Sequence, residues 1–409
     1  MIYLKGKYTY LWFLLLLYYV VNIYSLWKLS NTEGIVRISS DRGFILNQVV
    51  GGVLILGSIL PLWVYRDKIL RIELFKRVCF FLVFLLFYAL FYSRWEGITN
   101  LAALSKIYVW MLATFFLYLF FLTAPNIRIV NVFVVVVLLY VLLNVVISLR
   151  TFALDDSLRG ANIGSYLLTV VPLCFLFFKR KQFFWLFLFC LFLALLSGKR
   201  MAVLGMGLMT VFFFKDLWGE FSKKGILGFI ILIALIVFIV PYIEPYVDRM
   251  IERNEMDQEQ GSYGSGRSVI FPIVWNSFMD SNVFEFLFGH GVGGTTVIIS
   301  KTYGIEIAAH NAFLELLYNY GLMGLMLYLS LFGSLIKMYL WFKARRCKKY
   351  AKALMANIII WALLSFISHG FVGIGFIPMA VLWSFLLSRK NIIIKYQRIK
   401  SLRYATSRY

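Results

Sequence analysis

Residues 130–148 read VNVFVVVVLLYVLLNVVIS, and this apolar run decides the fold class. It holds no charged side chain, and as an α-helix its 19 residues extend about 28 Å, close to the thickness of a bilayer's hydrocarbon core. Similar runs recur along the chain, which is 62% hydrophobic and 15% charged. Soluble domains carry about 25% charged residues. The sequence therefore predicts an all-α polytopic integral membrane protein.

About twelve such runs are candidate transmembrane helices. They cover residues 8–27, 44–64, 78–93, 107–123, 130–148, 161–178, 183–197, 201–214, 226–242, 321–342, 353–368 and 371–387. One long polar segment interrupts them, and we expect it to form an extracytoplasmic loop that contains short helices of its own. The chain accordingly divides into amino-terminal helices (1–160), central helices (161–242), this large extracytoplasmic loop (243–311), carboxy-terminal helices (312–387) and a basic cytoplasmic tail (388–409).

The segment 183–214 admits two interpretations. A single helix of these 32 residues would extend about 48 Å, which exceeds the thickness of the hydrocarbon core. Two short helices that meet at Ser197-Gly198-Lys199-Arg200 fit better, because they keep the basic residues 179–181 on the same side as the other basic loops. We therefore expect a helical pair with a short outside hairpin at 197–200.

The formal net charge is +22, and the distribution of the basic residues among the loops predicts the orientation in the membrane. On a soluble protein this excess would indicate nucleic-acid binding, but here the basic residues gather in short loops between apolar runs. With the amino terminus inside, the inside segments carry 27 Lys and Arg and the outside segments 13, while Lys337 lies near a helix end. The positive-inside rule then predicts that both termini are cytoplasmic. The expected surroundings are membrane lipids, with no nucleic-acid partner.

Neither the cysteines nor the glycine motif indicates a cofactor. The four cysteines are scattered, without the spacing of a disulfide framework or a zinc site. The run Gly289-His290-Gly291-Val292-Gly293-Gly294 matches a dinucleotide-binding pattern, but it lies in an outside loop without the βαβ unit that the pattern requires. We expect tight turns there. The acidic residues at 244–259 show no metal-ligand spacing, so no metal site is predicted.

Cations and one histidine stand out on the predicted outside face: Arg159, Lys199, Arg200, Arg267 and His310. For a single arginine, the alternative interpretation is a solvated loop charge. Two adjacent cations in the short hairpin are harder to explain, because the orientation rule disfavours them there. Guanidinium groups bind diphosphates in bidentate fashion, and histidine can accept a proton from a hydroxyl. Such a set suits a reaction in which a lipid diphosphate leaves and a hydroxyl attacks.

An ordered set of short motifs resembles the O-antigen ligase/polymerase superfamily over about residues 159–325. The motifs are Arg159-Gly160…Asn162, Ser197-Gly198-Lys199-Arg200, Gly266-Arg267, Phe288-Gly289-His290-Gly291-Val292-Gly293 and His310-Asn311-x-x-Leu314-Glu315…Gly321-Leu322-x-Gly324. Their order around one long loop makes the resemblance specific. The amino-terminal helices are similar to the family only in number and hydrophobicity.

The resemblance implies glycosyl transfer from an undecaprenyl-diphosphate-linked oligosaccharide, without metal, cofactor or nucleotide sugar, at the periplasmic face of the bacterial inner membrane. It implies that Arg200 and Arg267 neutralise the diphosphate and that His310 activates or orients the acceptor hydroxyl. The further candidate contacts to phosphate or glycan are Arg159, Asn162, Lys199 and Asn311. For Asn311 the sequence also allows a structural role, as the N-cap of the helix that follows.

Two departures from the family pattern bear on the activity. Lys199 stands where the family commonly has a small or polar residue. The tripeptide Ala308-Ala309-His310 lacks the second histidine that many ligases carry two positions before the shared one. The missing histidine favours an O-antigen polymerase over an O-antigen ligase. For a polymerase, a chain-length regulator is a protein partner to consider. A flippase for lipid-linked sugars is the alternative of another class, but transporters usually carry charged residues within their spans.

Overall fold

The computed structural model of the protein describes residues 9–31, 42–91, 98–123, 127–154, 163–197, 200–218, 267–304, 308–367 and 374–406. Across these ranges the secondary structure is helical, without a β-strand. The helices are α1 (Thr9–Asn31), α2 (Arg42–Val64), α3 (Arg66–Ile69), α4 (Glu73–Phe91), α5 (Ile98–Thr123), α6 (Ile127–Leu154), α7 (Ile163–Phe177), α8 (Arg180–Leu196), α9 (Arg200–Trp218), α10 (Arg267–Met279), α11 (Val283–Phe288), α12 (Gly294–Tyr303), α13 (Ala312–Ala344), α14 (Lys348–Ile367) and α15 (Ile377–Thr406), with a 3-10 turn at Ile374–Phe376.

Seven of the described helices are long and apolar enough to cross a membrane: α2, α4, α5, α6, α13, α14 and α15. Shorter apolar helices at Tyr10–Ser25 and Tyr166–Phe177 add to them. Large apolar side chains lie on the outer surface as well as in the core. Phe13, Leu56 and Phe91, for example, are 67%, 70% and 73% exposed. The all-α, polytopic membrane fold is therefore confirmed.

Predicted and observed helices agree in order. Each predicted helix corresponds to an observed one except 226–242, which lies outside the described residues. The difference that bears on the candidate site concerns the predicted helix 321–342. It corresponds to α13, which already begins at Ala312. The polar residues of its first part lower the local hydropathy, and their partners are described below.

The centre of the helical bundle is α5, of whose span 78% is buried. It packs against α15 on one side and α2 on the other. Buried polar groups find partners across the helices: Ser384 Oγ donates to the carbonyl of Thr114 at 2.8 Å, and Trp383 Nε1 donates to Asn357 Oδ1 at 2.7 Å. Because hydrocarbon offers no hydrogen-bond partners, such bonds help to fix which helix faces meet.

The segment 183–214 forms two helices, as the length argument predicts. Helices α8 and α9 contain 17 and 19 residues and pack against each other. Ser197 ends the first helix, and its Oγ donates to the carbonyl of Ala194 at 2.7 Å. The interpretation as one long helix is therefore excluded.

Basic segments gather at one end of the bundle. Arg180, at the start of α8, donates to the carbonyl of Asp216 near the end of α9, and the carboxylate of Asp216 pairs with Lys352 in α14. Between α4 and α13, Lys337 Nζ lies 3.0 Å from Glu73 Oε1. These pairs join segments that the charge distribution predicts to be cytoplasmic. We call this the basic end of the bundle, and its cytoplasmic location stays a prediction.

Candidate active site

Three short helices, α10, α11 and α12, pack against the membrane helix α13. The attachment point is a break inside α13 at Gly321, where φ is +67° and ψ is −170°. Beside the break, the carbonyls of Tyr318 and Asn319 accept hydrogen bonds from the backbone N–H groups of His290 and Gly291, both at 2.9 Å. The loop between α11 and α12 is thus bound to the helix through its main chain.

Glycine is needed on both sides of this contact because two backbones meet. Gly289 has φ +76° and ψ −173°, and Gly321 has nearly the same angles, in a region that essentially only glycine adopts. A Cβ built on Gly289 would lie 2.5 Å from the carbonyl of Asn319, and one on Gly321 would lie less than 3.0 Å from the backbone of α11. The glycine run at 289–294 therefore forms a tight turn fitted to α13.

Two side chains add to the attachment. Asn319 Oδ1 accepts a hydrogen bond from the N–H of Thr295, in the first turn of α12, at 2.8 Å. The hydroxyl of Tyr88 in α4 donates to the carbonyl of Phe288, the last residue of α11. Tyr88 lies near the end of α4 and Asn319 in the first part of α13. The three short helices therefore lie at the end of the bundle opposite the basic end.

An apolar cluster packs together the two segments that carry the predicted catalytic residues Arg267 and His310. Ile270 of α10 lies one helical turn after Arg267, and Ala309 directly precedes His310. Both belong to the cluster Ile270, Val274, Phe278, Ile299, Ala309, Leu317 and Tyr318. The structure therefore brings together the segments that carry Arg267 and His310, although 42 positions separate these residues in the sequence.

Arg267 is a partly desolvated cation. Its side chain is half-buried at the start of α10, and no described residue accepts a hydrogen bond from its buried Nε. Burial lowers the pKa of the guanidinium below its usual value, yet arginine stays charged at physiological pH. A desolvated guanidinium with a donor that no described residue uses is suited to an anionic ligand such as a phosphate.

His310 adopts a left-handed backbone conformation with φ +52°. Positive φ is uncommon for a residue other than glycine and costs on the order of 1–3 kcal/mol. The carboxylate of Glu315, which is 6% exposed, compensates by accepting a hydrogen bond from the backbone N–H of His310 at 3.2 Å. Glu315 thus fixes the direction in which the chain presents His310.

Asn311 is the N-cap of α13, as its structural interpretation predicts. Its Oδ1 accepts hydrogen bonds from the N–H groups of Phe313 at 3.0 Å and Leu314 at 3.1 Å. Together with Glu315 it satisfies donors around the start of a helix, a variant of the capping box in which the acidic residue stands one position later. Sequence reasoning quoted Glu315 in the motif but assigned it no role, although this spacing could have suggested one.

His290 is a further polar residue whose contacts the sequence did not predict. Its Nε2 lies 2.7 Å from Ser281 Oγ, and its Nδ1 lies 3.6 Å from Glu285 Oε1. The imidazole stacks on the ring of Tyr318 with centroids 4.2 Å apart. These contacts attach α11 to α13 beside the apolar cluster. The sequence showed His290 only as part of a glycine turn.

The remaining predicted site residues are less completely described. Arg200 is the first residue of α9, and only its backbone is described. Arg159, Asn162 and Lys199 lie outside the described residues. Within the described ranges, no three His, Cys, Asp or Glu side chains lie close enough together to hold a metal ion.

Comparison with known proteins agrees with the motifs. Residues 185–329 match a family model described as O-antigen ligase. This range begins in α8 and ends in α13, so it contains Arg200, Arg267 and His310. None of the curated proteins matches the chain. The family match supports the O-antigen ligase/polymerase superfamily and confirms the resemblance drawn from the motifs. The match is consistent with a glycosyltransferase-like membrane enzyme of O-antigen biosynthesis and does not distinguish a polymerase from a ligase.

Proposed function

We propose that the protein is an O-antigen polymerase, which joins undecaprenyl-diphosphate-linked repeat units at the outer face of the bacterial cytoplasmic membrane. One observation carries most of the proposal: a partly desolvated arginine and a backbone-constrained histidine lie on one packed unit, at the end of the bundle opposite the basic end. The positive-inside rule predicts that this end is periplasmic. The family match supplies the general chemistry, glycosyl transfer from a lipid-linked glycan.

In the proposed reaction, a hydroxyl of the acceptor repeat unit attacks the anomeric carbon of the donor glycan. The bond from that carbon to the diphosphate oxygen breaks, and undecaprenyl diphosphate leaves with the electron pair. Arg267 and Arg200 stabilise the negative charge that develops on the leaving oxygen, as fixed cations do in a site of low dielectric constant. His310 accepts the proton of the attacking hydroxyl. The proposed reaction needs no metal ion or nucleotide sugar.

The contact between Glu315 and His310 gives this proposal a structural basis. A general base must stay within hydrogen-bond reach of the hydroxyl that it deprotonates, and small displacements of catalytic groups lower rates strongly. The backbone hydrogen bond to Glu315 holds His310 directly before the start of α13. Arg159, Asn162 and Lys199 are proposed to add contacts to phosphate or glycan.

An O-antigen ligase, which transfers the finished glycan to lipid A–core, is the second candidate. The description of the matching family model favours it. The tripeptide Ala308-Ala309-His310 favours the polymerase, because many ligases have a histidine at the first of these positions. A flippase is less consistent with the sequence of the spans, since residues 44–64, 107–123 and 130–148 contain no charged side chain.

Analysis of the surface polysaccharide in a deletion strain separates these functions. A polymerase mutant should make lipopolysaccharide with a single repeat unit. Accumulation of long, lipid-linked polymer would identify a ligase instead. If single lipid-linked repeat units accumulate on the cytoplasmic side, the protein is a flippase and the proposal is wrong.

A further inference from the structure

Helices α10 and α11 expose an unusual number of large apolar side chains. Trp275, Met279, Val283 and Phe284 are 48%, 57%, 78% and 56% exposed. Phe286 and Leu287 are also exposed and extend this surface, which we call the α10–α11 apolar face. Patches of this kind on a protein surface usually mark an interaction with another protein or with a membrane.

Charged side chains are scarce in the stretch of sequence that forms this face. Between Ser268 and Phe288 the only charged residues are Asp280 and Glu285. Glu285 is engaged within the protein, since its carboxylate accepts a hydrogen bond from the backbone N–H of Asn282 at 3.2 Å and lies 3.6 Å from the ring of His290. A loop surrounded by water would be expected to expose more charge, as most Asp, Glu, Lys and Arg side chains do.

The position of α11 relative to the membrane helices indicates what covers the face. Its last carbonyl, at Phe288, bonds to Tyr88 of α4, three residues before the end of that helix. It also meets α13 at Gly321, nine residues after the start of α13. The end of α11 therefore lies below the tips of two membrane-spanning helices.

The outer surface of α4 at this level is apolar and exposed. Phe87 and Phe91 are 56% and 73% exposed on a helix that is long and apolar enough to cross a membrane. Tyr88 of α4 bonds to Phe288, and the ring of Phe288 lies 4.9 Å from that of Phe284, so the α10–α11 apolar face lies beside this part of α4. An apolar surface beside the end of a transmembrane helix is expected to share the lipid that surrounds that helix.

We propose that α10 and α11 are seated in the outer leaflet of the bilayer, with the α10–α11 apolar face in contact with lipid acyl chains. Tryptophan and phenylalanine are the side chains that favour this depth at a membrane surface. The lipid contact itself does not depend on the proposed reaction. If the proposed function holds, the contact also sets the height of Arg267, on α10, at the level of the donor's diphosphate, whose undecaprenyl chain lies in the same leaflet.

The test measures the depth of a spin label in full-length protein reconstituted in phospholipid nanodiscs. Phe284→Cys carries the label, and Lys301→Cys, on the exposed end of α12, is the matched control; the native cysteines are replaced in both. Collision rates with oxygen, which concentrates in acyl chains, and with a water-soluble nickel chelate are compared. We expect an oxygen-to-nickel ratio several-fold higher at position 284 than at position 301.

Equal ratios at the two positions would overturn the inference, because the label would then lie in water. Shielding from both reagents at position 284 would also overturn it and would indicate a covering protein, such as a second copy of the chain. If replacing the cysteines impairs folding, a photoreactive benzophenone at position 284 of the native chain gives the second measurement. An adduct with phospholipid supports the inference, and an adduct only with protein contradicts it. Neither readout uses enzyme activity, so the proposed function can fail separately.

Discussion

Replacing Gly321 by alanine tests the contact that organises the site. Its backbone angles fall in a region that costs about 1–3 kcal/mol for a residue with a Cβ. The added Cβ would also lie less than 3.0 Å from backbone atoms of Leu287 and Phe288, which cannot rotate away as a side chain can. Such overpacking costs about 1–3 kcal/mol. The two effects together predict a loss of about 2–6 kcal/mol at this contact.

Two other glycines separate the contributions. Gly304 has φ +76° but no atom within 4 Å of a built Cβ, so Gly304→Ala adds backbone strain without overlap. Gly333 lies within α13, and nothing lies within 4 Å of its built Cβ. Because alanine favours a helix over glycine, Gly333→Ala should be neutral or slightly stabilising. The expected order of stability is Gly333→Ala, then Gly304→Ala, then Gly321→Ala.

The assay combines thermal unfolding of the purified protein in nanodiscs with limited proteolysis of the segment 267–304. Gly321→Ala should lower the melting temperature and speed cleavage of this segment, because α10–α12 lose their attachment to α13. Glycan transfer per folded molecule should fall as well. If Gly321→Ala is as stable, as protease-resistant and as active as Gly333→Ala, the account of the contact is refuted.

Three further predictions address topology and the roles of single residues. Lys301→Cys should react with an impermeant thiol reagent on intact spheroplasts, whereas Cys347 should react only after permeabilisation; the reverse pattern would invert the topology. Arg200→Lys should be nearly as inactive as Arg200→Ala at unchanged membrane levels, because lysine cannot bind a diphosphate as a bidentate fork; full activity would leave Arg200 a general electrostatic role. Glu315→Gln retains a side-chain acceptor for the N–H of His310 and should keep most activity. Glu315→Ala should lose about tenfold or more in turnover, because small misplacements of a catalytic group lower rates strongly. Equal activities of the two variants would contradict this positioning role.

The transmembrane helices could be predicted because lipid leaves the chain few options. Every backbone group inside the hydrocarbon core needs an internal partner, so an uncharged run such as 130–148 is expected to form a helix. The observed helix α6, Ile127–Leu154, contains that run. Two arguments separated α8 from α9: one helix over 183–214 would exceed the membrane thickness, and it would place the basic residues 179–181 on the outside.

The start of α13 could not be predicted from hydropathy. Its first part contains Glu315 and Asn319, which make the sequence look too polar for a membrane helix. Both are satisfied by distant or non-helical partners: Glu315 by the N–H of His310, and Asn319 by the N–H of Thr295. These partners become visible only in the folded chain.

For the candidate site, the sequence suggested which residues could take part, and their roles stay predictions. It did not show how these residues come together. Arg267 and His310 were chosen because their chemistry suits a diphosphate donor and a hydroxyl acceptor. That their segments share one apolar cluster depends on tertiary packing between α10, α12 and α13. The role of the glycines at 289 and 321 also depends on two backbones that meet across 32 positions of sequence.

The most direct test of the central claim compares His310→Ala with Asn311→Ala in a purified system. The enzyme is given a lipid-linked repeat unit, with a chelator present and no nucleotide sugar. Asn311→Ala removes the cap of α13 and should cost on the order of 1 kcal/mol in stability, with turnover per folded molecule largely kept. His310→Ala should leave stability unchanged and lower turnover by roughly 10² or more. Polymerisation by His310→Ala at a near wild-type rate, or a loss that only follows the amount of folded protein, would contradict the account.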